Sequence, residues 1–522
     1  MPTSMTQLRC VCCAKTFRIG ERTTCPSCGP DDGILDVIFD TVGAARTLSR
    51  ETLRTREPSV WRYVELLPIA PPNLPNSGLR TIGWTPIIEA PALANELGVG
   101  RIRLKDDGRS ASGSFKDRAS VVGVAMAVAA GANSIACAST GNAATSMAHC
   151  AAVAGLQANI FVARGAPEGK LAQMLAYGAR VFEVEGSYDD AYQLSRQACA
   201  EFGWYDRNCA VNPYLVEGKK TAGLEIAEQC ADDPPDWVAV SVGDGCTIAG
   251  IAKGLRQMRE CGVIGWTTRV LGVQAEGVAP IMKALNTDRL VIPKDGTTYA
   301  DSINVPVPRN WRKAVSAIRD ANGAIVAVSD NEIRYATAMT GRLAGIFAEP
   351  AAAAAVAGVF RARTSGIIGP MENVVAMITG NGLKDIRGAL SAIGKPTRVP
   401  ADFRRIADVV DASKASAGAS GGGPIRARNF VGIANYQPPS GKGQKFAFHD
   451  PVFYKCSECG AFAIYDDEIL AIYTNPEAPN ECATYELGTE FHCPTCQSSD
   501  SFLDTSCEDR PAIAASGWSW AL

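Results

Sequence analysis

Residues 105–118 read KDDGRSASGSFKDR. A strand-like apolar run, 102–105, leads into this segment, and a helix-like apolar run, 114–130, leaves it. Lys116 therefore falls near the start of a predicted helix, directly after a Ser/Gly-rich turn. A helix N-terminus gathers free N–H donors and the positive end of the macrodipole. Both oppose an ammonium charge and help keep a lysine neutral enough to act as a nucleophile. Taken alone, the segment suits a solvated first-turn lysine equally well.

Three further turns bear on the choice. Residues 139–142, STGN, lie between a strand end and a helix start. Such a turn offers backbone N–H groups to a carboxylate, and Asn142 can hydrogen-bond a ring hydroxyl. Residues 243–247, GDGCT, sit between the strand-like run 237–242 and the helix-like run 248–258. Glycine-rich turns in that position let backbone N–H groups cradle a phosphate. Residues 379–385, TGNGLKD, follow a last apolar strand. Each turn by itself also reads as an ordinary cap.

Strand-like runs at 102–105, 134–139, 159–163, 180–184, 237–242, 269–274, 324–328 and 373–379 alternate with helix-like stretches at 114–130, 169–177, 189–202 and 331–345. This alternation predicts an α/β architecture with mostly parallel sheets, in two units. The expected organisation is a cysteine-rich head at 1–45, a catalytic domain at 55–400, a Gly/Ser-rich flexible linker at 411–428 and a cysteine-rich tail at 446–522. No solenoid-type repeat is visible.

Of 522 residues, 47% are hydrophobic, and the formal net charge is -3. No basic stripe points to nucleic acid, and no run is apolar enough to read as a membrane span. The first ten residues carry no secretory signature. The 18 cysteines concentrate at the two ends as C-x-x-C pairs. Metal thiolate sites in a reducing cytoplasm are the expectation, rather than disulfides.

The four segments, in this order, resemble the fold-type II pyridoxal-5′-phosphate (PLP) enzymes, and threonine synthases most closely. The resemblance runs from about residue 60 to 390. It is carried by SVWRYVELLP (59–68), GWTP (83–86), GSFKDR (113–118), STGN (139–142), GKLAQMLAYGARV (169–181), NPYLVEGKKTAGLEI (212–226), GVQAEGVAPI (272–281), GIFAEPAAAAAVAG (345–358) and TGNGLKD (379–385). It implies two parallel-sheet α/β subdomains and a PLP Schiff base on Lys116, with Phe115 beside the cofactor ring. It implies that Asn142 bonds the ring oxygen and that Gly243, Asp244, Gly245, Cys246 and Thr247 bind the cofactor phosphate. Thr379 would bond the pyridine nitrogen. Ser112, Ser114, Ser139, Thr140, Gly141 and Asn142 would meet a small amino-acid substrate. A hydroxyl cannot hold the pyridine nitrogen protonated, which suits elimination and replacement better than transamination. A homodimer is implied by analogy.

The expected reaction releases phosphate from O-phosphohomoserine and adds water to give threonine, with Lys116 moving the protons. Three departures bear on the substrate. Threonine synthases usually read N-P-T-G-S-F-K-D, whereas this chain has Ser110, Ala111 and Ser112 before Gly113. Asp244 replaces an asparagine in the phosphate turn, where a carboxylate is unfavourable unless it points away or meets a donor. Residues 300–310, ADSINVPVPRN, also differ. Alternatives are chemistry like that of cysteate synthase, cysteine synthase, threonine deaminase or diaminopropionate ammonia-lyase, or a non-catalytic scaffold.

Cys10 and Cys13 precede Cys25 and Cys28 by eleven intervening residues, a zinc-ribbon spacing. Cys12 makes the register ambiguous, and the C-x-x-C spacing favours Cys10 with Cys13. The tail repeats the device with Cys456, Cys459, Cys493 and Cys496, and Cys482, His492 and Cys507 are spare ligands. Both zinc sites are expected to be structural, because four thiolates leave no open position. The tail is the segment expected to contact another protein. Cys137, Cys150 and Cys199 read as core residues, and His149 as a packing residue.

Overall fold

A computed structural model describes residues 3–406, apart from 74–76, 210, 394, 395 and 397, together with short strands between 452 and 520. The chain divides into two compact units, Met1–Gly394 and Lys395–Leu522.

The first unit opens with three short strands, β1 (Met5–Cys10), β2 (Thr16–Phe17) and β3 (Leu35–Phe39). They form an antiparallel sheet with β1 in the centre. Alternation along β3 turns Leu35, Val37 and Phe39 inward. These residues, with Leu8, Cys10 and Cys25, join the same buried cluster as Val60, Ile251 and Leu255 of the main body. Lys253 reinforces the junction by donating to Val37 O at 2.6 Å and Asp36 Oδ1 at 3.0 Å. The head thus shares the core of the segment that follows it.

The main body holds ten strands: β4 (Ile87–Glu89), β5 (Arg101–Asp106), β6 (Ser134–Ala138), β7 (Gln157–Ala163), β8 (Arg180–Val184), β9 (Tyr205–Asp206), β10 (Trp237–Ser241), β11 (Arg269–Ala275), β12 (Ala324–Val328) and β13 (Asn373–Ile378). They form two sheets. The larger has the order β12-β11-β10-β13-β5-β4, parallel except for the antiparallel edge strand β4. The smaller, β8-β7-β6-β9, is parallel throughout. Every residue of β10 is buried, as expected of a parallel strand covered by helices on both faces. The two-unit α/β expectation holds, and the strand and helix runs agree within a few residues.

The chain leaves the large sheet after β5, builds the small sheet, and returns at β10. Strand β13 then inserts between β5 and β10, pairing Ile378 with Asp106. The helix Lys116–Ala129 carries the chain across, and it is buried along most of its length. Helix Tyr214–Gln229 lies against it so closely that a Cβ on Gly218 would sit 2.0 Å from Arg118 O. Only glycine permits that approach.

In the second unit, Val452–Cys456, Phe462–Asp466, Ile469–Tyr473, Cys482–Glu486 and Trp518–Trp520 form an antiparallel sheet. The 411–428 linker and Cys459, Cys493 and Cys496 lie outside the described residues, as does the side chain of Cys456. The second zinc expectation therefore lies outside them as well. Among the described residues no helix is long and apolar enough to cross a membrane.

Candidate active site

All four sequence segments emerge at the carboxyl ends of parallel strands: 107–116 after β5, 139–142 after β6, 243–247 after β10 and 379–385 after β13. Ligands of open α/β sheets bind at that edge, because helix N-termini and loops converge there.

Lys116 is the first residue of its helix, after Phe115 as N-cap. Gly113, at φ +81°, makes the turn that delivers it. The loop is fixed to the end of β13 by its backbone. Phe115 N–H donates to Thr379 O at 2.9 Å, and Asn381 N–H donates to Gly113 O at 3.0 Å. Burial lowers the Lys116 pKa below an ordinary lysine's. The positive charge of Lys219 adds to that shift, while Cys246 and Glu349 oppose it.

Behind the lysine lies a fully buried ion network. Arg118 donates to Asp107 at 2.6 Å, to Glu225 at 2.8 Å and to Thr85 at 3.0 Å. Lys105 adds a bond to Glu225 at 2.6 Å. Burial opposes the Glu225 charge, but Arg118 and Lys105 outweigh it and hold the carboxyl down at about 2. This network ties together the GWTP, KDD and DR motifs. It anchors Arg118, in the first turn of the Lys116 helix, to Asp107, just after β5, and to the GWTP loop.

The STGN turn caps helix Asn142–Ala154, and Ser139 Oγ accepts from Gly141 N–H at 3.1 Å. Asn142 Nδ2 donates to the two Glu349 carboxylate oxygens at 3.1 and 3.0 Å. Glu349 N–H in turn donates to Gly380 O at 3.0 Å, which ties this turn to the end of β13. Burial raises the Glu349 pKa, against the pull of Lys170, Asn142, Lys116 and Lys384. Among the described residues, Asn142 Oδ1 and Ser114 Oγ are buried without a hydrogen-bond partner. Ser139, Thr140 and Gly141 are half-buried.

In the 243–247 turn, Gly245 takes φ +93° as the N-cap of helix Cys246–Glu260. A Cβ there would meet Asn310 O and Ala314 Cβ at 3.0 Å. Asp244 does meet donors. Its carboxylate accepts from Arg309 N–H at 2.7 Å and Asn310 Nδ2 at 2.6 Å. The altered stretch 300–310 thus supplies the partners of the altered turn residue. Cys246 Sγ accepts from Lys219 Nζ at 2.6 Å, and Thr247 is half-buried beside it.

Ser112 departs from the expected arrangement. It is 1% exposed, and both its hydroxyl and its N–H bond Asp117, at 2.6 and 2.7 Å. Its carbonyl accepts from Lys384 and Gln173, each at 3.1 Å. Every polar group of Ser112 is thus engaged within the protein, which makes it a loop brace. The sequence reading did not single out Glu349, Lys219, Lys384 or the Arg309–Asn310 pair. A glutamate immediately before Pro350 and a long alanine run was the available signal for Glu349, since such a carboxylate has little besides a functional partner to meet. His149 stacks edge-on against Tyr177 with ring centroids 5.3 Å apart, and Cys137, Cys150 and Cys199 are core residues.

In the head, the sulfurs of Cys10, Cys13, Cys25 and Cys28 lie within 4.8 Å of one another, and Cys12 is outside the group. Cys13 and Cys25 approach to 3.7 Å.

Residues 79–380 match the model of the pyridoxal-phosphate dependent enzyme family. The chain is 37% identical over 412 residues to a threonine synthase of Methanosarcina acetivorans, covering 78% of this chain and 99% of that protein. It is 37% identical to a threonine synthase of Methanocaldococcus jannaschii, with 76% and 97% covered. Among solved structures, the diaminopropionate ammonia lyase of Escherichia coli superposes with a TM-score of 0.52 at 17% identity, covering 68% of this chain and 91% of that one. An O-ureido-L-serine synthase superposes with a TM-score of 0.51 at 20% identity, covering 62% and 97%. These two likenesses concern the fold. The family match and the length of the threonine synthase alignments go further: the chain belongs to the pyridoxal-phosphate dependent enzymes.

Proposed function

We propose that the chain is a PLP-dependent lyase of threonine synthase type, acting on O-phosphohomoserine to give threonine and phosphate. The alignment with two threonine synthases over nearly their whole length carries this reading.

The residues present fit the cofactor. The two unpartnered buried oxygens, Asn142 Oδ1 and Ser114 Oγ, sit in the loops that flank Lys116. A glycine turn at a helix N-terminus offers N–H groups to a phosphate. Lys116 would hold the cofactor carbonyl, and Phe115 and Asn142 would flank the ring. Gly243, Gly245, Cys246 and Thr247 would hold the phosphate through backbone N–H groups and the Thr247 hydroxyl. Thr379 Oγ1 would face the ring nitrogen. When bound, the cofactor withdraws electrons from the substrate α carbon.

The chain's own residues do the rest. Lys116 Nζ, whose pKa is lowered by burial and by Lys219, takes the α proton and returns protons along the substrate chain. The Thr140 N–H, at the positive end of a helix, would meet the substrate carboxylate within the STGN turn, since the Ser139 N–H already donates to Phe161 O at 3.0 Å and the Gly141 N–H to Ser139 Oγ at 3.1 Å. Asp244 turns to Arg309 and Asn310, which keeps its charge from the phosphate.

We further propose that Cys10, Cys13, Cys25 and Cys28 hold a structural zinc ion, because four clustered thiols match tetrahedral thiolate coordination.

The functional reading is tested with a substrate panel: O-phosphohomoserine, O-phosphoserine, O-acetylserine, threonine and diaminopropionate, with phosphate, ammonia and amino-acid products measured. Equimolar phosphate and threonine from O-phosphohomoserine are expected. Turnover of another member alone would overturn the substrate assignment and leave the lyase class intact.

A further inference from the structure

Beside the phosphate turn lies a group of side chains that make no direct step of the reaction above. Cys209 follows β9, Lys219 lies on helix Tyr214–Gln229, and Cys246 is the first residue of helix Cys246–Glu260. Lys219 Nζ is 2.9 Å from Cys209 Sγ and 2.6 Å from Cys246 Sγ. The two sulfurs and a carboxylate oxygen of Asp244 lie within 4.8 Å of one another. Lys219 and Cys246 are buried, and Cys209 is half-buried.

A buried ammonium requires a counter-charge. Among the described residues no carboxylate forms an ion pair with Lys219, and its hydrogen bonds go to the two sulfurs. Burial works against the Lys219 charge, but the two sulfurs outweigh it and raise its pKa. The Cys209 thiol is held well below the usual range, first by the hydrogen bond from Cys246, and then, against burial, by the charge of Lys219. Cys246 is held well above, by that same hydrogen bond and by burial. The geometry therefore brings two thiols together around one lysine, the first on a half-buried residue and the second on a buried one. An ammonium between them supplies the positive charge that a metal ion would bring.

We propose that Cys209 and Cys246 are an oxidative modification site, closed to a disulfide by a hydroperoxide. Cys209 attacks the peroxide, an S–O bond forms and the O–O bond breaks. The leaving oxygen takes a proton and departs as water or an alcohol. Cys246 then attacks the Cys209 sulfur, the S–S bond forms, the S–O bond breaks, and the oxygen leaves as water with the second proton. The thiols give up two electrons and two protons in total, and the peroxide accepts both.

The bond also has a consequence for the neighbouring turn. A disulfide draws the sulfurs to about 2.05 Å. Cys246 belongs to the turn read above as the phosphate cradle, so this consequence rests on that reading. Closure pulls the first residue of helix Cys246–Glu260 toward Cys209, and oxidation then opposes cofactor retention.

The test uses the purified holoenzyme. It is titrated with hydrogen peroxide, remaining thiols are alkylated, and the digest is mapped by mass spectrometry. A peptide pair joined through Cys209 and Cys246, lighter by two hydrogens and released by dithiothreitol, is expected. The oxidised protein should also shed its visible cofactor band on ultrafiltration. Cys209→Ser should form no such pair and keep band and turnover under the same peroxide dose. Oxygen addition at Cys209 without the joined pair overturns the site. A joined pair with the band fully retained overturns its coupling to the cofactor. Because the pair is detected independently of the band, a chain that forms it and never carries the cofactor overturns the functional reading instead.

Discussion

The backbone N–H of Phe115 donates to the carbonyl of Thr379 at 2.9 Å, joining the residue before the lysine to the last turn of the large sheet. The two residues are distant in sequence and meet because β13 lies beside β5 in parallel register. The lysine and the hydroxyl proposed to face the cofactor ring are thus held on one rigid frame.

Lys116→Ala should remove the visible cofactor band and lower turnover by roughly 10²–10⁴-fold, the range for loss of a general acid–base group. Spectra and steady-state rates on the same preparation check this. A variant with wild-type spectrum and rate would exclude Lys116 from the chemistry.

Arg118→Met should cost about 3–5 kcal/mol, because it leaves the buried carboxylates of Asp107 and Glu225 short of their main partner. Urea unfolding measures the loss. A change below 1 kcal/mol would mean that the network does not brace the Lys116 helix.

Glu225 makes stability depend on acid. Its folded pKa of about 2 lies below the ordinary 4.5, so the ionised form stabilises the fold at higher pH. That stability is fully present above about 4.5 and is lost as pH falls toward 2. The contribution is roughly 3 kcal/mol. Between those pH values, Glu225→Gln should show a shallower decline in unfolding free energy than the wild type.

Asp244→Ala should be harmful even though the turn loses a negative charge near the phosphate. The Arg309 N–H and the Asn310 amide would lose their acceptor, at about 1–3 kcal/mol for each donor left buried. Asp244→Asn keeps an acceptor and should lie within about 1 kcal/mol of wild type. Thermal melts and cofactor titration of both variants separate the charge from the hydrogen bonds.

The zinc ion proposed for the head is tested by Cys25→Ser, which should lower the zinc content by one equivalent per chain and reduce the melting temperature of the first unit. Cys25 belongs to the buried cluster shared by head and body, so metal loss should be felt beyond the head. Elemental analysis and calorimetry test both parts.

Much of this was legible along the chain because local rules govern it. Strand and helix periods located the alternating elements, and glycine-rich turns after apolar runs located the four loops. The Cys10–Cys13 register was readable from C-x-x-C spacing alone. Glu349, Lys219 and the Arg309–Asn310 pair were not legible, because each acts through a partner distant in sequence: Asn142, Cys246 and Asp244. Ser112 read as a loop serine free for substrate, and only its neighbours reveal that Asp117 takes both its hydroxyl and its N–H.

The sequence by itself therefore determined the α/β class, the position of Lys116 at a helix start and the turns that surround it, since these depend on side-chain period and backbone freedom within a few residues. The tertiary structure decided which groups are charged, braced or free. Burial sets the cost of each charge, and only the packed neighbours determine how that cost is met. Lys116 reads as a nucleophile in sequence, but its lowered pKa follows from its burial and from the placement of Lys219 across the site.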